Sequence, residues 1–115
     1  MKKVHIMHLN SEPYEQIKSG NKTVEVRLHD EKRKKIKVGD EIVFYKGEEG
    51  DEKTTVTVMG LRRFKSFEEL FSSALRFKTG LSESSPSEAA ERMRAYYPKE
   101  AEEKYGVLAI EIKIR

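Results

Sequence analysis

Two stretches of strict two-residue alternation constrain this chain more than any other feature. Across residues 23–28, Val24, Val26 and Leu28 fall on one side of an extended chain, and Thr23, Glu25 and Arg27 on the other. Near the end, Leu108, Ile110, Ile112 and Ile114 alternate with Ala109, Glu111, Lys113 and Arg115. Successive side chains of a strand point to opposite faces, so each stretch predicts a strand with one face buried and one in water. Such strands need a sheet whose core the rest of the chain must supply.

Further strands are predicted at residues 3–9, at 41–45 and at 54–64, where Gly60 suits a bulge or bend. The acidic, Gly-containing residues 46–53 read as an exposed hairpin loop. Pro13 sits early in a helix of about two turns that Gly20 stops. Ser66 and Glu69 form a capping-box pattern, as do Ser85 and Glu88 with Pro86 at the first helical position. Ala89, Ala90, Met93, Tyr96 and Tyr97 then make one apolar helical stripe, which Pro98 ends. Residues 78–84, rich in Gly and Ser, read as a mobile loop between these helices. Strands that are not regularly interleaved with helices argue against a doubly wound parallel sheet. The expected fold is α+β: a mostly antiparallel β-barrel with short helices packed on its outside, closed by pairing of the first and last strands.

A chain of 115 residues is expected to form a single domain over residues 1–115. The sequence has no cysteine, which removes disulfides, thiolate metal sites and cysteine nucleophiles from consideration. No apolar run approaches the roughly 18 residues of a membrane span. The opening residues lack the continuous apolar region of a signal peptide, so a cytoplasmic location is expected. Charged residues make up 37% of the chain, yet the net charge is only +3. That balance permits a polyanionic partner without requiring one.

The chemistry concentrates in residues 20–27, Gly20-Asn21-Lys22-Thr23-Val24-Glu25-Val26-Arg27. Arg27 offers a planar donor fork suited to phosphate or a base edge, and Lys22 a mobile point charge. Glu25 can accept from an exocyclic amine, or serve as a general base if its pKa is tuned. Read plainly, Glu25 and Arg27 are also what an exposed strand face carries. A basic run, Lys32, Arg33, Lys34 and Lys35, follows and suits backbone phosphates, with Arg62, Arg63 and Lys65 extending it if the segments meet. Tyr97 and Tyr105 are the aromatic candidates for lining a pocket. His5, His8 and His29 show no ligand spacing, so no metal and no cofactor are expected.

These segments resemble a known family. Residues 17–27 and 36–44 (Ile36-Lys37-Val38-Gly39-Asp40-Glu41-Ile42-Val43-Phe44), with Phe67 to Leu70, Met93 to Pro98 and Tyr105 to Ile110, are similar in order to the ASCH (activating signal cointegrator homology) domain. The resemblance covers nearly the whole chain and implies a PUA-like β-barrel with a cleft beside Gly20-Asn21-Lys22 and a function linked to RNA. Some small members resemble an amidohydrolase acting on N4-acetylcytidine. Its pattern reads Gly-x-Lys-Thr-x-Thr-x-Arg, with lysine and second threonine as base and nucleophile and a glutamate further on. Gly20, Lys22, Thr23 and Arg27 match, but Glu25 stands at the nucleophile position, and the later glutamate has only Glu83 as a counterpart by region. The resemblance also implies ribonuclease activity as an alternative hydrolase.

Three readings follow. The first is a binding module for single-stranded RNA or a (modified) nucleoside or nucleotide, without membrane or metal. In it Lys22, Thr23, Glu25, Arg27, Tyr97 and Tyr105 contact the ligand, and the basic run adds diffuse attraction. The second is a small hydrolase using Lys22 and Glu25 as catalytic residues. The third is a protein-interaction module that exposes an apolar groove along its helices.

Overall fold

The computed structural model describes residues 1–115. The chain runs β1 (Val4–Leu9), α1 (Ser11–Lys18), β2 (Val24–Leu28), a 3₁₀ turn (Arg33–Lys35), β3 (Glu41–Lys46) and β4 (Lys53–Phe64). It continues through α2 (Phe67–Phe71), a second 3₁₀ turn (Ala74–Lys78), α3 (Pro86–Arg94), α4 (Lys99–Tyr105) and β5 (Val107–Ile114). The strands form one curled sheet in the order β1-β3-β4-β5-β2. β1 lies parallel to β3, and the other three pairings are antiparallel.

The α+β class and the mostly antiparallel sheet agree with the sequence reading, but the closed barrel does not. β1 and β5, the first and last strands, are not neighbours; β1 and β2 are the sheet's two edges. The long β4 occupies both β3 and β5, and β5 uses its other side for β2, so the barrel stays half open.

The polar-face expectation for β2 also needs correction. The sheet is covered on both sides. One core, with Met7, Tyr14, Ile17, Phe44, Val58 and Ile110, fills the concave face under α1. The other, with Val24, Val26, Phe67, Leu70, Phe71 and Ala90, lies between the sheet and the later helices. Directly paired residues share a face, and Glu25 and Arg27 pair with Ile110 and Leu108. Their side of β2 therefore faces the first core rather than water, and Glu25 is only 3% exposed. β5 is likewise buried on both faces over Val107, Leu108, Ala109 and Ile110.

Local signals set the boundaries. The register of β4 against β5 slips between Val58 and Gly60, where a bend was expected. Ser85 and Glu88 complete a full capping box at α3. At α2 only half of the predicted box forms: Ser66 accepts from the Glu69 amide, while the Phe67 amide donates to the buried Glu102 carboxylate at 2.8 Å. Glu102 belongs to α4, which has no counterpart in the sequence reading. Residues 78–84 are tied at their start, where the Thr23 amide donates to the Lys78 carbonyl at 2.9 Å and Gln16 to the Gly80 carbonyl at 3.4 Å. At the other end of the sheet, Asp40 accepts from the Lys3 and Lys37 amides and from His5 Nε2, tying β1 to the turn before β3. Burial would raise the Asp40 pKa, but these hydrogen bonds, led by His5, bring it down to about 2.

Candidate functional site

α1 ends at Lys18; two residues on, Gly20 with its positive φ of 86° lets the chain reverse, and the Lys22 amide donates back to the Gln16 carbonyl at 2.9 Å. This turn sets Lys22 just before β2. Its ammonium meets Glu25 Oε1 at 2.9 Å, and Arg27 Nε meets Oε2 at 2.9 Å. The Val26 amide is the third donor to this carboxylate, at Oε1. The other end of the Arg27 guanidinium donates to the His8 carbonyl of β1 at 3.3 Å. Side chains thus bridge the two unpaired edges that the backbone leaves apart.

The trio is buried, with 10%, 3% and 13% of the Lys22, Glu25 and Arg27 side chains exposed. Burial alone would raise the Glu25 pKa, but the charges of Lys22 and Arg27 outweigh it and hold the carboxyl at about 2. Burial likewise works against the Arg27 charge, yet Glu25 and the Tyr97 hydroxyl prevail and its pKa is raised. Two cations on one carboxylate leave a net single positive charge. Lysine has three donors and arginine five, so several N–H groups stay free for a ligand's oxygens.

The other residues anticipated at this site divide. Tyr97 belongs here: it stacks on Phe67 at 5.8 Å and is close enough to Arg27 to help raise its pKa. Beside it, Tyr96 accepts from Asn10 Nδ2 at 3.2 Å, linking the segment after α3 to the start of α1. Thr23 is exposed, and its backbone makes its contacts. Tyr105 lies elsewhere, in a groove with His29, Arg63 and Lys65.

That groove has a volume of about 610 Å³ and adjoins a second of about 330 Å³, the two sharing His29 and Arg63. Neither is lined by Lys22, Glu25 or Arg27. Of the basic run, Arg33 and Lys34 line the second groove, and Lys32 and Lys35 do not. The run is a 3₁₀ turn held by Asp30, which accepts from the Arg33 amide and guanidinium. Arg63 stands with Arg33 and Lys34, so the two basic segments do meet, whereas Arg62 lies over the Phe64 ring. His29, which carried no signal in the sequence, sits where the two grooves join. No group of three His, Asp or Glu side chains is arranged to hold a metal ion. No helix is long and apolar enough to cross a membrane.

Comparison with known proteins agrees with the fold. The family model described as the ASCH domain matches residues 7–115. The crystal structure of hypothetical protein PH0355 is 39% identical, with 98% of this chain and 99% of that one covered and a TM-score of 0.85. The solution structure of protein PF0455 from Pyrococcus furiosus is 37% identical, covers 96% of each chain and has a TM-score of 0.77. A more distant ASCH protein from Zymomonas mobilis, at 18% identity, shares the fold with a TM-score of 0.65, covering 96% of this chain and 66% of that one. A search of curated proteins finds no match. With its family model matched over nearly its whole length, this chain belongs to the ASCH domain family.

Proposed function

We propose that this ASCH domain binds RNA or a nucleotide, with Lys22, Glu25 and Arg27 as the recognition site and Tyr97 at its side. The observation that carries the reading is the placement of two cations on one buried carboxylate at the gap between two unpaired sheet edges. A buried ion pair is a weak device for stability, because well-packed apolar side chains of similar volume do as well or better. Three charges in the wall of the half-barrel are better explained by what they present to a ligand. The free N–H groups of Lys22 and Arg27 suit the carbonyl oxygens of a base or the oxygens of a phosphate.

Glu25 favours binding over turnover. A carboxyl held at about 2 takes up a proton poorly at neutral pH, so it serves recognition better than general-base catalysis. Calorimetric titration with nucleosides and their monophosphates at low salt, with mass spectrometry of the same samples, tests this. Binding that weakens at least tenfold in Arg27→Gln, with the ligand recovered intact, is the expected result. Recovery of a hydrolysed product, lost in Lys22→Ala, would replace binding with the hydrolase reading. Absence of any nucleoside or nucleotide binding would overturn both.

A further inference from the structure

The two joined grooves carry a charge that the recognition trio does not. Their walls bring Arg33 and Lys34 from the 3₁₀ turn together with Arg63 and Lys65 from the end of β4 and the residue after it. Against these four cations the lining contains one carboxylate, Glu69. With Asp30 and Glu31, which pair with Arg33 and Lys34, the excess of cations over carboxylates around the grooves is one.

The donors differ in availability: Arg63 and Lys65 are exposed and form no ion pair. Arg33 Nε is buried without a hydrogen-bond partner, although the guanidinium is held by Asp30 at its other end. Lys34 pairs only with the exposed Glu31 at 3.2 Å, a surface contact that an anion displaces at little cost. Burial, with Arg63 and Lys34 beside it and only Asp30 and Glu31 opposing, lowers the His29 pKa, so its neutral ring can donate to an oxygen without adding charge. The floor is apolar, with Leu61 and Leu108 in one basin and Phe64 and Tyr105 in the other. Tyr105 offers a ring for a base to stack on.

Position supplies the last element. His29 follows β2 two residues after Arg27, or about 7 Å along an extended chain. The groove therefore begins where the recognition trio ends.

We propose that the groove from Arg33 and Lys34 past His29 to Arg63 and Lys65 holds the sugar–phosphate backbone of single-stranded RNA, extending the nucleotide site on which this proposal rests. A strand lying there places one nucleotide at Lys22, Glu25 and Arg27 and its neighbours' phosphates among the groove cations. A mononucleotide reaches the trio alone.

Fluorescence anisotropy of a labelled oligouridylate of about 12 nucleotides, followed over a range of salt, tests the groove separately from the trio. Each cation that neutralises a phosphate on a single strand contributes about 0.7 to the slope of log affinity against log salt. The double substitution Lys34→Gln with Arg63→Gln is expected to lower that slope by about 1.4. Mononucleotide binding should be unchanged in the same variant. Lys99→Gln with Lys113→Gln, exposed cations away from the groove, should leave the slope as it is. A groove variant that keeps the wild-type slope, or control substitutions that lower it equally, would overturn the proposal. So would stabilisation by inorganic phosphate equal to that by RNA, which would mark a small-anion site. Oligonucleotide binding with the expected slope but no mononucleotide binding would keep the groove and remove the trio reading.

Discussion

The buried trio of Lys22, Glu25 and Arg27 and the basic groove lie along one strand and its continuation, yet they treat charge in opposite ways. At Lys22, Glu25 and Arg27 each cation is matched within 2.9 Å by a carboxylate that is itself buried. In the groove beside His29, Arg33 and Lys34 pair with Asp30 and Glu31, while Arg63 and Lys65 are exposed and have no ion-pair partner. A charge removed from water must be paired, whereas a charge at a groove's rim is solvated and remains available to a ligand. The first arrangement gives a fixed pattern of donors, suited to discriminating one chemical group from another. The second gives attraction that depends on salt and is indifferent to sequence.

The sharpest way to break this comparison is to remove the carboxylate. Glu25→Ala leaves two buried cations unmatched and is expected to cost about 3–5 kcal/mol of stability in urea denaturation. Arg63→Gln, the equivalent step in the groove, should stay within about 0.5 kcal/mol, as for surface substitutions generally. Similar costs for the two would refute the distinction.

Acid titration probes the same contrast. Glu25 and Asp40 both have folded pKa values of about 2, below their ordinary values of 4.5 and 3.8. A depressed carboxyl pKa stabilises the fold above the ordinary value, and the contribution is lost as pH falls through the folded one. Melting temperature should therefore drop between about pH 4.5 and 2. Glu25→Gln should flatten that decline, leaving the part due to Asp40. An unaltered acid profile in the variant would mean that Glu25 is not held ionised by its neighbours.

A smaller effect than that of Glu25→Ala is expected from Tyr97→Phe, which removes the hydroxyl beside Arg27 and keeps the ring on Phe67. Chemical denaturation should show a loss of no more than about 1 kcal/mol, as for a single polar contact. A larger fall in nucleotide affinity than in stability would place the hydroxyl in the ligand contact.

Much of the frame is legible in the residues. The alternation of β2 and β5, the bend of β4 at Gly60 and the start of α3 at Ser85 are written in side chains within a few positions of one another. α4 escaped because its buried contact is Glu102, a residue whose type signals exposure. The importance of His29 escaped too, since a single histidine has no spacing to read. Lys22, Glu25 and Arg27 were identifiable as a cluster, but their depth was not.

The sequence by itself determined the periods, the caps and the proximity of three charged residues, because these depend on local backbone geometry. Tertiary structure alone decided that β2 lies at an open edge beside β5, that both faces of the sheet are covered, and that the basic segments around Arg33 and Arg63 meet in one groove. The physical reason is range. An alternating strand specifies that one face is buried, but only packing partners dozens of residues away determine whether the other face meets water, a second core or a ligand.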